Sequence, residues 1–203
     1  MERKLDDKYF INTFDEDTKI YSKKENTLLL IVDEQPRLMN ALENGEEAVV
    51  NTIALIKAFE KYDMPIIATE QYPKGLGSTD DRILEKLDQE NIFEKTIFDA
   101  AIPEVLDFIE KNKIKKVVIT GAEAHICVYQ TTRSLLNLGI DVFLPKDALA
   151  SFKESQKEDA LKTLREMGAV RTETETLLFD LARDSKDPNF KFISGLVKDI
   201  RRR

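Results

Sequence analysis

The sequence predicts a three-layer α/β/α fold built on a six-stranded, mostly parallel sheet. Short, continuously apolar runs alternate along the chain with longer segments of helical periodicity. The 203 residues, 42% of them hydrophobic, suffice for one domain with a large core. Strands that alternate with helices connect by right-handed crossovers, and these place helices on both faces of the sheet.

The first half of the chain supplies three of the six predicted strands. The run TLLLIVD, which follows Asn26, is apolar almost throughout, as expected of a parallel strand buried on both faces. Residues 46–62 carry apolar side chains at helical spacing and form the first crossover helix. The run MPIIATE is the second strand. After the loop QYPKGLGSTD we expect a helix over 80–90 and then a short strand, NIFEK.

The second half repeats the alternation. A helix, the strand KKVVIT and a helix over 124–138 come first. The runs IDVFLP and AVRT are the fifth and sixth strands, and the helix between them is opened by a predicted capping box of Ser151 and Glu154. Two further helices, over 173–183 and 190–202, complete the domain.

The domain is predicted to span residues 27–203 and to follow a charged N-terminal arm over 1–26. The arm has no apolar segment of the kind found in signal peptides, so we expect a cytoplasmic protein. A single cysteine cannot form an internal disulfide, which agrees with a reducing compartment.

The net charge and the lengths of the apolar runs limit the kinds of partner that we expect for this protein. The net charge of −7 disfavours a nucleic-acid partner. Apolar runs stay shorter than a membrane span requires. The remaining predicted partners are a small-molecule substrate and further copies of the chain in a homo-oligomer.

Three reactive side chains fall at the carboxyl ends of predicted strands, where ligands gather in parallel α/β folds. Asp33 ends the first strand, Lys95 ends NIFEK, and Cys127 follows the fourth strand at the start of a helix. A helix N-terminus and a nearby cation both lower the pKa of a thiol, so we expect the Cys127 thiolate to be favoured. Asp33 is then placed to accept and return protons.

Each of these residues has a structural alternative. A lone cysteine is commonly a small buried hydrophobe, and an aspartate after a strand commonly caps a helix or turn. A lysine in that position is commonly solvated. The joint position of the three residues favours catalysis.

His125 lies two residues before Cys127 and about 200° from it around the helix axis. That angle disfavours a direct Cys–His pair. His125 is expected to border the pocket or a subunit contact.

Several motifs resemble those of the isochorismatase-like cysteine hydrolases. They are VDEQ around Asp33, TEQYPKGLGST over 69–79, EKTIFDA around Lys95, TGAEAHICVYQT around Cys127 and KDALAS over 146–151. The resemblance covers about residues 27–197 and is closest to the group that includes the mitochondrial-type isochorismatase-domain proteins. It implies the Rossmann-like fold of that hydrolase family.

The resemblance also implies a site and a reaction. Asp33, Lys95 and Cys127 correspond to an Asp–Lys–Cys triad. A cis peptide bond joins Ala122 to Glu123, and the backbone N–H groups of Glu123 and Cys127 form an oxyanion hole. The implied reaction is attack of the thiolate on a small amide, release of ammonia or an amine, and hydrolysis of the thioester. Family members that cleave the isochorismate vinyl ether lack the cysteine, so its presence favours hydrolysis of a carbon–nitrogen bond.

The loop after the second strand departs from the nicotinamidases of the same superfamily. Those enzymes hold a metal there with an aspartate and several histidines, whereas this chain has QYPKGLGST. We therefore expect no metal and no cofactor. The side chains predicted to bind substrate are polar and aromatic residues that follow the strands: Gln35, Gln71, Tyr72, Lys74 and Phe98. A plain turn is the alternative for residues 73–77.

Other functions compete with that of an amide hydrolase. A catalytically silent member of the fold could bind a metabolite or act as an oligomer, although the intact triad residues argue against it. A dinucleotide-binding enzyme needs G-x-G-x-x-G after the first strand, where DEQPRLMN stands. A phosphatase that uses the aspartate after that strand needs a second aspartate in place of Gln35. A nuclease is disfavoured by the acidic charge.

Overall fold

The computed structural model describes residues 26–202, which hold a parallel sheet of seven strands. The strands are β1 (Thr27–Val32), β2 (Ile66–Gln71), β3 (Ile92–Lys95), β4 (Lys116–Ala122), β5 (Asp141–Pro145), β6 (Leu149–Ala150) and β7 (Val170–Thr172). Their order across the sheet is β3, β2, β1, β4, β5, β7, and β6 pairs with the end of β4.

Nine α-helices within residues 26–202 connect these strands. They are α1 (Pro36–Met39), α2 (Gly45–Lys61), α3 (Pro73–Leu76), α4 (Asp81–Leu84), α5 (Pro103–Lys111), α6 (Cys127–Asn137), α7 (Glu154–Glu166), α8 (Thr174–Ala182) and α9 (Phe190–Arg201).

The core lies on both faces of the sheet, which makes three layers. Successive side chains of a strand point to opposite faces. Leu29 and Ile31 therefore pack with the helices α2, α8 and α9. Leu28, Leu30 and Val32 pack with α5, α6 and α7 on the other face. The predicted three-layer fold is confirmed.

The sheet has one strand more than the six predicted. The additional strand is β6, which pairs in parallel with residues 121 and 122 of β4. Its two residues are too few to produce a recognisable pattern of apolar side chains.

The extent of one predicted helix and the capping box predicted for another are wrong. The helix expected over 80–90 is the short α4 followed by a separate 3₁₀ turn over Gln89–Asn91. The capping box of Ser151 and Glu154 is absent, because α7 begins later and the Lys153 backbone N–H donates to Gln156 Oε1 at 3.0 Å instead.

None of the helices within residues 26–202 has the length and apolar character to span a membrane. Residues 1–25 of the predicted N-terminal arm lie outside the described residues, so the division into arm and domain stays a prediction.

Candidate active site

Asp33 follows the end of β1 and is completely buried at the centre of the site. Its φ of 55° turns the chain out of the strand. Thr69 Oγ1 donates to Asp33 Oδ1 at 2.9 Å, and Lys95 Nζ donates to Asp33 Oδ2 at 2.7 Å. Burial raises the pKa of Asp33, and the positive charge of Lys95 opposes that rise. A carboxylate with a raised pKa is a better proton acceptor.

Lys95 ends β3, and its side chain is fully enclosed. Besides Asp33, its ammonium donates to Gln71 Oε1 at 2.7 Å and to the Phe98 carbonyl at 3.0 Å. An ammonium has three N–H bonds, and these three acceptors satisfy them. Lys95 is therefore held as a fixed positive charge beside the Asp33 carboxylate.

Cys127 is the first residue of α6 and is only 5% exposed. Its thiol is hydrogen-bonded to the Asp33 carboxylate, and the Glu123 backbone N–H points at its sulfur. Burial, followed by the negative charge of Asp33, raises the pKa of Cys127 to about 12, although Lys95 and the Glu123 amide lower it.

The prediction of a lowered thiol pKa is therefore wrong. The sequence indicated the helix N-terminus and the cation, but it did not reveal how deeply the thiol is buried or that a carboxylate touches it. With a pKa near 12 the Cys127 thiol is protonated at neutral pH. The Asp33 carboxylate, which contacts the thiol, is the group placed to accept that proton.

The segment between β4 and α6 places the thiol above the end of β1. The peptide bond between Ala122 and Glu123 is cis, at the position that the family resemblance implies. Gly121 has a φ of 106°, and a Cβ added there would lie 2.0 Å from the Val32 carbonyl oxygen. Only glycine lets β4 approach β1 this closely, directly below Asp33.

Thr131 connects the nucleophile to the loop after Lys95, and the sequence analysis assigned it no role. Its Oγ1 donates to the Cys127 carbonyl at 2.7 Å and accepts from the Ala100 backbone N–H at 2.8 Å. Threonines in helices commonly bond back to the carbonyl four residues earlier, so half of this arrangement has a sequence signal. The contact with Ala100 depends on the tertiary fold.

Gln35 positions the loop after β2 and does not line a pocket. It is fully buried, and its Nε2 donates to the carbonyls of Gln71 at 3.1 Å and Gly77 at 2.5 Å. Its Oε1 accepts from the Gln71 backbone N–H at 2.8 Å. Because its amide is fully occupied within the protein, the prediction that Gln35 binds substrate is replaced by a positioning role.

The other predicted pocket residues lie at or after the carboxyl ends of β2 and β3. Gln71 contacts Lys95, and its Nε2 donates to the Thr96 carbonyl at 2.9 Å. Tyr72 and Phe98 are 54% and 52% exposed. Lys74 and Tyr72 border an open cleft of about 310 Å³ next to β3. The structure thus brings Asp33, Lys95 and Cys127 together, and it places Gln71 in contact with Lys95.

His125 makes its polar contacts away from the thiol. Its Nδ1 lies 3.1 Å from Ser151 Oγ and 3.9 Å from Glu123 Oε2. Ser151, which the sequence analysis placed at a helix cap, is buried at the end of β6 and holds the imidazole. This geometry agrees with the prediction that His125 and Cys127 do not form a catalytic pair.

Glu34 is a buried carboxyl group that the sequence analysis did not single out. Its side chain faces α2, where Thr52 Oγ1 donates to Glu34 Oε1 at 2.5 Å. Burial raises the pKa of Glu34 to about 8. Its position within DEQ, directly after an apolar strand, was a signal of burial that could have been read from the sequence.

The residues after β2 do not fit the metal site of nicotinamidases. The side-chain amide of Gln71 already accepts a hydrogen bond from Lys95 and donates one to the Thr96 carbonyl. Among residues 26–202 there is no group of three or more histidine, cysteine, aspartate and glutamate side chains that could hold a metal ion.

Comparisons with known proteins identify the family of this chain. The isochorismatase domain matches residues 27–176. Isochorismatase family protein 1A of Dictyostelium discoideum is 38% identical over 86% of this chain and 87% of its own length. A secreted isochorismatase effector of Phytophthora sojae is 32% identical over 86% of this chain and 85% of its own.

A solved structure extends the likeness to three dimensions. The MAR1 ribonuclease of Caenorhabditis elegans superimposes with a TM-score of 0.83 and 34% identity, covering 88% of this chain and 92% of that one. The fold, the matched domain and the extent of these similarities show that the chain belongs to the isochorismatase family.

Proposed function

We propose that the protein is a cysteine hydrolase that cleaves the carbon–nitrogen bond of a small amide through a thioester. The observation that carries the proposal is the Asp33 carboxylate, which contacts the Lys95 ammonium and the Cys127 thiol in one buried site. A proton acceptor, a fixed cation and a nucleophile in mutual contact are the groups that acyl transfer requires.

In the first half-reaction Cys127 Sγ attacks the amide carbonyl carbon while its proton passes to Asp33. The electron pair of the carbonyl bond moves to oxygen, and the backbone N–H groups of Glu123 and Cys127 are the proposed donors to that oxyanion. Collapse of the tetrahedral intermediate breaks the carbon–nitrogen bond. The leaving nitrogen takes the proton from Asp33, which yields a thioester and ammonia or an amine.

In the second half-reaction water attacks the thioester carbonyl and gives a proton to Asp33. Collapse breaks the carbon–sulfur bond, the sulfur regains its proton and the carboxylic acid leaves. The fixed charge of Lys95 favours the ionised form of Asp33 between the steps, because it opposes the effect of burial on the pKa of Asp33. Membership in a family of hydrolases supports this reaction class.

The test combines turnover with detection of the intermediate. Purified protein is incubated with a panel of small amides, and the released ammonia or amine is measured beside Cys127→Ala. An acylated form of the wild type, seen by intact-mass spectrometry after rapid acid quench and absent in the variant, is the expected result. Undiminished turnover by Cys127→Ala would contradict the covalent mechanism.

Ribonuclease activity is a second candidate, favoured by the name of the 34% identical Caenorhabditis elegans protein. The net charge of −7 opposes RNA binding. Degradation of labelled RNA at 50 and 200 mM salt, assayed with wild type and Cys127→Ala, separates the two functions. RNA cleavage that persists in the variant, together with inactivity on every amide, would favour the second candidate.

The homo-oligomer and the cytoplasmic location stay predictions. Sedimentation equilibrium at micromolar concentration tests the first, and a monomer would contradict it. Fractionation of cells and medium tests the second, since one relative of 32% identity is named a secreted effector.

A further inference from the structure

Several large apolar side chains that are exposed to solvent follow the carboxyl ends of strands, at the edge of the sheet that holds the candidate site. Among residues 26–202 eight such side chains are substantially exposed: Tyr72, Ile97, Phe98, Leu138, Phe152, Met167, Phe179 and Phe192. Half of them follow the carboxyl ends of β2, β3 and β6, and we call these four the apolar rim: Tyr72, Ile97, Phe98 and Phe152. Their exposed fractions range from 52% to 57%. Apolar side chains gathered around a cleft mark a binding surface more often than single ones do.

One side of the apolar rim is attached to Lys95. The carbonyls of Phe98 and Ile97 lie 3.0 and 3.3 Å from Lys95 Nζ. Tyr72 follows directly on Gln71, whose Oε1 lies 2.7 Å from the same ammonium. These three apolar residues therefore stand around the cation of the triad.

The other side of the apolar rim is attached to the nucleophile. The backbone N–H of Phe152 donates to Glu123 Oε2 at 3.0 Å. The backbone N–H of Glu123 in turn points at the sulfur of Cys127. Phe152 is thus connected through Glu123 to the segment that carries the thiol.

We propose that the site takes amides whose acyl group is hydrophobic, either aromatic or branched aliphatic; this inference rests on the proposed function. Cys127 is only 5% exposed, so just the carbonyl end of an amide reaches the sulfur. The remainder of the acyl group lies beyond the carboxyl ends of the strands, where the side chains it meets are those of the apolar rim. Removing apolar surface from water there favours binding of hydrophobic acyl groups.

The apolar rim has one competing occupant, a second copy of the chain. A subunit contact would cover the same four side chains and leave no acyl-binding surface. If the apolar rim binds the acyl group, substitutions in it change acyl selectivity. If it forms a subunit contact, they change self-association.

The experiment compares phenylacetamide, acetamide and succinamate as substrates of the full-length chain. We expect kcat/KM for phenylacetamide to exceed that for acetamide by at least about 10-fold, since hydrophobic pockets discriminate at that level. Succinamate, which carries a negative charge in place of the ring, should fall below phenylacetamide by at least as much.

Two rim variants and a matched control complete the design. Phe98→Ala and Phe152→Ala should each lower the ratio of kcat/KM for phenylacetamide to that for acetamide several-fold. Leu138→Ala removes a side chain that is 59% exposed at the opposite end of α6, and it should leave the ratio unchanged. Circular dichroism checks that all three variants are folded.

The outcomes separate this inference from the proposed function. Turnover of amides without a preference for the hydrophobic acyl group overturns the inference alone. Rim variants that keep the selectivity but lose self-association in sedimentation also overturn it and assign the rim to a subunit contact. Absence of turnover on every amide overturns the proposed function, and the inference with it.

Discussion

Asp33 and Glu34 are consecutive, fully buried carboxyl groups after β1, and their surroundings differ. Asp33 meets an ammonium, a hydroxyl and the Cys127 thiol. Glu34 meets the hydroxyl of Thr52. Burial raises the pKa of both. The contrast teaches that a buried carboxyl group alone does not mark a candidate active site; contact with both a cation and a thiol distinguishes Asp33 from Glu34.

Asp33→Asn should have the largest effect on turnover of the substitutions that test this comparison. Turnover should fall by about 10²- to 10⁴-fold, because the proposed general base is removed. Alkylation of Cys127 by iodoacetamide at pH 8 should nevertheless become faster. The reason is that the charge of Asp33 and its hydrogen bond both raise the pKa of the thiol. Alkylation that slows in parallel with turnover would contradict this account. Glu34→Gln is the matched control, since it removes the neighbouring carboxylate and should leave both rates nearly unchanged.

Glu34→Gln should change the free energy of unfolding while it leaves turnover nearly unchanged. The pKa of Glu34 is about 8 in the folded chain and 4.5 in the reference state, so the folded protein holds this proton more tightly than the unfolded one. Stability of the wild type therefore decreases as pH rises through this window, by up to roughly 4 kcal/mol. The variant lacks the decrease, and urea unfolding at pH 5, 7 and 9 should show its advantage growing with pH. If the difference in unfolding free energy between the variant and the wild type stays constant with pH, burial does not raise the pKa of Glu34 as described.

Gln35→Ala tests the third residue of the sequence DEQ, which follows β1. Loss of the bonds to Gln71 and Gly77 leaves partly buried backbone groups without these partners, at a cost of about 1 kcal/mol. We expect a roughly 10-fold lower kcat/KM, corresponding to about 1.4 kcal/mol, and faster proteolysis within residues 72–77. Arg37→Ala removes only an exposed bond to the Gly75 carbonyl and should have the smaller effect. Equal effects of the two variants would argue against a special role for Gln35.

His125→Asn should have the smallest effect on turnover. The imidazole contacts Ser151 and Glu123 and makes no use of the thiol, and asparagine retains a hydrogen-bonding group for Ser151. We expect kcat/KM to change by less than about 3-fold between pH 5.5 and 8.5, which corresponds to under 1 kcal/mol. A loss of several hundred-fold would restore the Cys–His pair that the geometry disfavours.

Features that depend on local sequence were predictable. Continuous apolar runs indicated the longer strands, and the carboxyl ends of the predicted strands pointed to Asp33, Lys95 and Cys127. Long periodic segments likewise predicted α2 and the two last helices to within a few residues.

Features that depend on tertiary neighbours were not predictable. β6 has only two residues and exists through its pairing with β4. The direction of the Cys127 pKa shift depends on burial and on contact with Asp33, which lies far away in the sequence. The role of Gln35 follows from three backbone partners that the fold brings to it. Each of these features depends on the distance between segments that are remote in the sequence, and the sequence alone does not give that distance.

The Thr131 hydroxyl joins the loop over 96–100 to the first turn of α6, since it bonds to both Ala100 and Cys127. Displacing the loop breaks the bond from the buried Ala100 amide, at a cost of about 1–3 kcal/mol. The loop is therefore open in only a minority of molecules, and its excursions release one restraint on the residue that carries the sulfur. Hydrogen exchange at the Ala100 amide reports the frequency of these excursions, and Thr131→Val should accelerate it.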